Sequence, residues 1–441
     1  MPNRQKNIII NTETNTHQDN IKIFIFNNIK PVQYFFLLGN NYNLAAAEVY
    51  TVLQSFKIRY TTVLEEDPIL IVDSPSEINL PEIQNILGGS IKCGLILNSF
   101  EQKNQQKLAD FIHKTLSTYH VQLHFGINVF DKNENNQNDQ LRFWKKWALT
   151  WKKENKNNYQ HLRFVESNEG NLSSVIIKKN KLLGEHGCDL NLIYSQETIF
   201  IGQSQSVQDF ELYSQLDYGR PAYEAKVGML PPKLAQTMIN LSRQSDEDIH
   251  SLHILDPFCG SGTVLNQAVF SGFIHIYGTD IDPQAIQRSK ENLSYVSQLL
   301  RAVDIDLNLQ TIDVNKLSTM LTKANIDKVI SEAHLGPALS GKESKEQLNE
   351  NKRLLEIIYK GAFQEIYKVM KPGGILVLTI PIFLYKQQLI KFDIQNLIYN
   401  NFKKAKVLGK HKNLYTDRNS LIYKRPNQKL WREIFVFQKQ K

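Results

Sequence analysis

Apolar positions along this chain come in two alternating periods. Short runs bounded by glycine or turn residues read as strands, and longer stretches with an apolar residue every three or four positions read as helices. Tyr34-Phe35-Phe36-Leu37-Leu38 before Gly39 is the first clear strand, and Leu44, Ala47, Val49 and Leu53 then recur at helical spacing. Gly88 to Lys92, Phe125 to Val129 and Leu172 to Ile177 read as further strands with helical segments between them. Trp144, Trp147, Ala148 and Trp151 stand at i, i+3, i+4 and i+7, which predicts a helix that turns a tryptophan stripe to the core and a lysine-rich back to solvent.

Residues 209–228 carry glycine and proline and read as a linker. Pro232 suits a first helical turn, with Leu234, Met238 and Leu241 on one side. Beyond it strands and helices alternate. Leu252 to Leu255 is a strand, Val264 to Phe270 a helix, Ile274 to Tyr277 a strand and Ala285 to Leu293 a helix. Leu309 to Ile312 and Lys328 to Ile330 are strands, Leu354 to Met370 is a helix stopped by Lys371-Pro372-Gly373-Gly374, and Ile375 to Ile380 is a strand. Leu421 to Tyr423 and Glu433 to Phe437 flank Arg425-Pro426-Asn427 as an antiparallel hairpin. The fold class is therefore α/β: a doubly wound, mostly parallel sheet closed by a C-terminal hairpin, preceded by a separate α/β region. The boundaries read as a flexible tail at 1–33, the first region at 34–208, a linker at 209–228 and the second domain at 229–441.

Length and charge narrow the picture modestly. A chain of 441 residues is long enough for two or three cores. A formal charge of +8 permits a polyanionic partner without requiring one. Cys93, Cys188 and Cys259 are far apart and have no histidine cluster beside them, so neither a disulfide framework nor a structural metal is expected. No apolar run reaches bilayer length and no signal-peptide pattern opens the chain, so a cytoplasmic protein with no membrane association is expected.

The chemistry concentrates in Ser251 to Asp282. A strand runs into Asp256-Pro257-Phe258-Cys259-Gly260-Ser261-Gly262-Thr263 and then a helix, and the glycines let a ligand approach the main chain. Asp280 follows a second strand, where an acid suits the ribose of a nucleoside cofactor. Neither the phosphate-binding Gly-x-x-x-x-Gly-Lys pattern nor Gly-x-Gly-x-x-Gly is present, so nucleotide triphosphate and dinucleotide readings are disfavoured. The octapeptide strongly resembles the first motif of class I S-adenosylmethionine (SAM) methyltransferases that act on exocyclic amines of bases. The opening YFFLLGNNYNLAAAEVYTVL and the segment Gly228 to Leu241 are similar to the THUMP-domain tRNA guanine-N2 methyltransferase family.

That resemblance implies a THUMP-containing RNA-binding region at 34–208, a Rossmann-like methyltransferase domain, SAM as cofactor and tRNA as partner. A small activating subunit joins the candidate partners, since some members of the family work with one. It implies a cofactor site made by Asp256, Phe258, Cys259, Gly260, Ser261, Gly262, Thr263, Asp280 and Ile281, with Asp313 at the adenine amine and Met229 and Leu230 enclosing it. A helix cap is the competing role for Asp313. For RNA phosphates the candidates are Lys145, Lys146, Lys152, Lys153, Lys178, Lys179 and Lys181.

Ser331 to Gly336 departs from the family's Asp-Pro-Pro-Tyr-Gly. Glu332 stands for the aspartate that receives the target amine, and His334 is the candidate for stacking on the base. The expected function is methyl transfer to guanine N2 in tRNA. An adenine-N6 methyltransferase and a non-catalytic RNA-binding protein that keeps the fold are the alternatives. Methylation at base C5 is disfavoured, because its cysteine nucleophile is missing: Cys259 belongs to the cofactor loop.

Overall fold

In the computed structural model the described residues are 31–222, 229–302, 304–321, 325–398, 402–405, 411–426 and 428–440. The expected N-terminal tail therefore lies, but for its last residues, outside them, as does part of the expected linker.

Two sheets organise the rest. The first has eight strands: β1 (Val32–Leu38), β2 (Thr61–Glu66), β3 (Ile69–Ser74), β4 (Ser90–Glu101), β5 (Gln122–Phe130), β6 (His161–Phe164), β7 (Gly187–Tyr194) and β8 (Thr198–Val207), in the order β2-β3-β1-β4-β8-β7-β5-β6. Most neighbours are antiparallel, and β5 runs parallel to both β6 and β7. The tryptophan stripe is core, as its spacing predicts. In the helix Glu134–Asn155, Trp144, Ala148 and Trp151 are buried, and Trp144 Nε1 donates to Tyr194 Oη at 2.9 Å. Burying an indole with its donor satisfied makes truncation there cost about 3–5 kcal/mol.

Two sequence readings are corrected here. Leu172 to Ile177 is not a strand: Ser174–Lys179 is a helix, because the Ser173 side chain accepts from Ile176 N and gives the β-branched run a capped start. The first half of the expected linker is a helix as well, Phe210–Tyr218, with the Asp209 side chain accepting from Leu212 N.

The second sheet has nine strands: β9 (His253–Asp256), β10 (His275–Asp280), β11 (Asp306–Thr311), β12 (Ile326–Glu332), β13 (Met370–Tyr385), β14 (Gln388–Ile390), β15 (Phe402–Lys404), β16 (Leu421–Tyr423) and β17 (Leu430–Lys439). Its main path is β11-β10-β9-β12-β13-β17-β15, with β14 on β13 and β16 on β17. β11, β10, β9, β12 and β13 are mutually parallel, and β17 returns antiparallel between β13 and β15. The expected hairpin exists, with Leu421 opposite Ile434 and Tyr423 opposite Arg432. The long helix is Lys345–Val369, opened by a capping box between Ser344 and Gln347.

Both faces of this sheet are covered. One face packs Leu255, Val329, Leu376 and Phe435 against Phe363 and Ile366 of the long helix. The other packs Ile254, Ile276 and Ile330 against Val264 and Met238, in an apolar cluster that continues into Leu53 and Tyr34. The helix Tyr42–Ser55 thus shares a core with the helix Pro232–Leu241. At that seam the fully buried Glu48 carboxylate accepts from Gly88 N at 2.8 Å, Gly89 N at 2.7 Å and Asn240 Nδ2 at 2.7 Å. Burial pushes the carboxyl above its usual range, and these three donors oppose that shift. The order of the sheet reverses where β9 meets β12, so the loops after those strands open on the crevice where a doubly wound sheet binds its ligand.

Candidate functional site

β9 ends in Asp256, and the chain then turns through two left-handed glycines into the helix Thr263–Phe270. Gly260 has φ +53° and Gly262 φ +84°. A Cβ on Gly262 would stand 2.4 Å from Ser289 Oγ, so both backbone and space demand glycine there. At Gly260 a Cβ would meet nothing within 4 Å, so the loop's main chain is open to an incoming group.

Asp280, at the end of β10, faces this loop. Its Oδ2 accepts from Gly260 N at 2.9 Å and its Oδ1 from Asp282 N at 3.0 Å, while Cys259 N donates to Thr279 O at 2.9 Å. Two main-chain donors fix the carboxylate beside an open loop, an arrangement suited to accepting hydroxyl hydrogens from a sugar. The residues present therefore fit a nucleoside cofactor.

Asp256 itself is buried. Its Oδ1 accepts from Ser331 Oγ at 2.5 Å and from Phe258 N at 3.1 Å. Burial pushes its carboxyl up to about 7; the two hydrogen bonds oppose the shift, and the nearby Asp280 and Glu332 add to it. Glu332 closes β12 next to Ser331. Its Oε1 accepts from Arg432 Nε of β17 at 2.5 Å, and burial raises its carboxyl while Arg432 pulls it back.

A cleft of about 160 Å³ joins these groups. Of the cofactor residues expected from sequence, Met229, Leu230, Asp256, Phe258, Cys259, Gly260, Ser261 and Thr263 line it, and so does Glu332. Gly262 is packed behind the loop, Asp280 stands behind Gly260, and Ile281 is exposed. Asp313 takes the competing role: its Oδ1 accepts from Asn315 N and Asn315 Nδ2, both at 2.9 Å, and caps the turn Val314–Lys316. The His334 ring is exposed, and its main-chain oxygen accepts from Tyr359 Oη at 2.5 Å.

Sequence reasoning missed Arg288, Arg220 and Arg432. Arg288 lines the cleft and pairs with Asp282 at 3.1 Å, and the buried Arg220 donates to Thr263 Oγ1 at 2.9 Å. Arg220 lay inside the presumed linker, and Arg432 pairs with a residue a hundred positions earlier, so no local pattern announces either.

The seven candidate lysines do not act as one set. Lys178 is ion-paired with Asp209 at 3.1 Å and Glu211 at 2.9 Å, and Lys145 Nζ donates to Ser167 O at 2.6 Å. Lys146, Lys179 and Lys181 are exposed. Lys152 and Lys153 line an open groove of about 1100 Å³ together with Lys156, His161 and Arg163, and no carboxylate is among the groove's lining residues. Among the described residues no group of three or more His, Cys, Asp or Glu is placed to hold a metal ion, and no helix is long and apolar enough to cross a membrane.

Residues 250–439 match a family described as a methyltransferase domain. The chain is 26% identical over 174 residues to the tRNA (guanine(10)-N2)-dimethyltransferase of Methanothermobacter thermautotrophicus, covering 38% of this chain and 44% of that protein. It is 29% identical over 142 residues to the protein of the same name from Methanocaldococcus jannaschii, covering 32% and 37%. The matched parts thus take in less than half the length of either relative. Among solved structures, TrmN from Thermus thermophilus superposes with a TM-score of 0.53 at 12% identity, over 92% of this chain and 99% of that one. SMU.472 in complex with SAH gives 0.50 at 12% identity, over 93% and 99%. These likenesses extend through both sheets and concern the fold. The strand order, the open glycine loop with its acid and the family match agree: residues 250–439 of this chain match a methyltransferase-domain family and carry the doubly wound sheet of a methyltransferase fold.

Proposed function

We propose that the chain is a SAM-dependent methyltransferase that acts on the exocyclic N2 of a guanine in tRNA, with the region before Asp209 as its THUMP-containing RNA-binding part. The observation that carries the reading is that the glycine loop, held from behind by Asp280, and Glu332 line one crevice, in a chain whose sequence relatives are named for that reaction. When bound, SAM supplies an electrophilic methyl group. Asp280 would accept its ribose hydroxyls, the open main chain at Gly260 would let it lie close, and Met229 and Leu230 would give an apolar wall.

Glu332 orients the target amine by accepting its hydrogen, so that the nitrogen lone pair faces the methyl group. Burial raises the Glu332 carboxyl, and the Arg432 guanidinium paired with it opposes that shift. His334, exposed two residues beyond, offers a ring for stacking on the extruded base. Lys152, Lys153, Lys156 and Arg163 form a groove suited to phosphates.

The test is methyl-labelled SAM with unmodified tRNA, followed by nucleoside digestion. Labelled N2-methylguanosine is the expected product, and labelled N6-methyladenosine would reassign the enzyme to the adenine class. SAM binding with no labelled nucleoside would make it a non-catalytic RNA-binding protein.

A further inference from the structure

A second cleft, of about 650 Å³, lies between the glycine turn at 88–89, the starts of the helices Tyr42–Ser55 and Pro232–Leu241, and the turn that follows β16. It shares no lining residue with the cleft at the glycine loop.

Its lining carries a net positive charge. Lys233, Lys424 and Arg425 line it, and none of the three forms an ion pair with a carboxylate among the described residues. The Lys233 ammonium stands 5.3 Å from the centre of the Tyr213 ring and that of Lys424 5.2 Å from Trp431, while Arg425 Nε donates to Tyr423 Oη at 2.7 Å. The carboxylate in the lining, Asp217, is 3.5 Å from the buried Arg220 guanidinium.

Two further features face the same space. Both helices open here without a side-chain cap hydrogen bond: the helix Tyr42–Ser55 brings its first-turn amides and dipole to the cleft, while Pro232–Leu241, which begins Pro231-Pro232 and has Leu234 N bonded to Pro231 O, brings its dipole and the Lys233 amide. Tyr213, only 6% exposed and part of the lining, has a hydroxyl without a hydrogen-bond partner among the described residues. A buried hydroxyl left unsatisfied costs free energy, which a ligand acceptor that reached it would recover. Cations and helix-start amides around one volume, with Tyr213 in its wall, are a donor set for a phosphate, and Leu44, Ala45 and Pro426 add apolar walls for the attached sugar and base.

The cleft is also close to the chemistry. Tyr423 lines it, and the Arg432 guanidinium lies 6.0 Å from the centre of the Tyr423 ring while its Nε holds Glu332. We propose that this cleft binds a phosphodiester of the RNA strand that runs on from the target nucleotide, a subsite between the methyltransferase domain and the first sheet. The proposal rests on the RNA reading of the function.

The test uses the full chain with Lys233, Lys424 and Arg425 all changed to Ala. All three side chains are exposed, so the fold should survive. Binding of unmodified tRNA is measured across a salt series, with SAM affinity as the control. Affinity for tRNA should fall at least tenfold at low salt, the slope of log affinity against log salt should shrink by about 2, and SAM affinity should not change. Tyr213→Phe should weaken tRNA binding severalfold at a Tm no lower than that of the wild type.

Wild-type tRNA affinity and salt slope in the triple variant would overturn the subsite, even with methyl transfer intact. A wild-type protein that transfers no methyl would instead overturn the functional reading and leave the binding comparison standing. Inorganic phosphate that raises the Tm of the wild type alone, with tRNA binding equal in both proteins, would make the cleft a free-anion pocket and overturn the RNA assignment.

Discussion

Two strand ends in the same sheet were built by different means. The end of β9 forms its site from main chain: left-handed Gly260 and Gly262, the amides of the loop, and an acid from the end of the neighbouring β10, Asp280, fixed by Gly260 N of that loop and by Asp282 N. The end of β12 forms its site from side chains, with Glu332 held by Arg432 from β17 and Ser331 bonded to Asp256. Main-chain geometry leaves a sequence trace, because only glycine meets it. A carboxylate held by a distant guanidinium leaves none, which is why the first half reads as a motif and the second as a departure from one. On the proposed reading the difference also divides the labour: the loop binds, and the β12 end orients what reacts.

Asp280→Ala breaks the binding half most directly. Loss of a charged hydrogen-bond acceptor should weaken SAM binding by about 1.5–3 kcal/mol in a folded protein, read by calorimetry. Unchanged affinity would remove Asp280 from the cofactor site.

Asp256→Asn sharpens the link between the halves. The folded pKa of Asp256, about 7, lies above the unfolded value of an aspartate. The native state therefore holds the proton more tightly, and this contribution to stability is full below about pH 4 and lost as pH rises through 7. Asparagine keeps an oxygen to accept from Ser331 and Phe258 but cannot ionise. The variant should match the wild type near pH 4 and exceed it by about 4 kcal/mol near pH 8, in denaturant titrations at the two pH values. A constant difference between the two proteins would contradict the shifted carboxyl.

The two glycines separate strain from space. Gly262→Ala meets Ser289 Oγ as well as the left-handed penalty, whereas Gly260→Ala meets the penalty alone. Alanine at 262 should therefore cost about 1 kcal/mol more stability than alanine at 260, measured by thermal unfolding. The smallest effect expected is on tRNA affinity in Lys178→Ala. Its ammonium is already committed to Asp209 and Glu211, so affinity should stay within about twofold, while Lys152→Ala with Lys153→Ala lowers it and its salt slope.

The order of legibility follows from the same physics. The strand–loop–helix at Ser251 to Phe270 and the tryptophan helix were readable, because local spacing decides them. The helix Ser174–Lys179 was not, since Val175-Ile176-Ile177 carries strand propensity that the Ser173 cap and the packing of Ile177 override. The helix Phe210–Tyr218 did carry a start signal in Asp209, but the glycine and prolines that follow it outweighed that signal. The second cleft draws residues from five separate stretches of the chain and has no signature in any of them. Asp313 fits the alternative its own neighbours suggested, a cap on the turn that follows.

The central claim is that Glu332 serves transfer and not donor binding. Glu332→Gln tests it most directly, because the amide keeps an oxygen for Arg432 and removes only the charge. SAM affinity and methyl transfer to unmodified tRNA are measured on the same preparation, beside the wild type. The account predicts SAM affinity within a few-fold of the wild type and transfer reduced by about a hundredfold or more. Transfer at the wild-type rate, or SAM affinity lost in parallel with transfer, would contradict it.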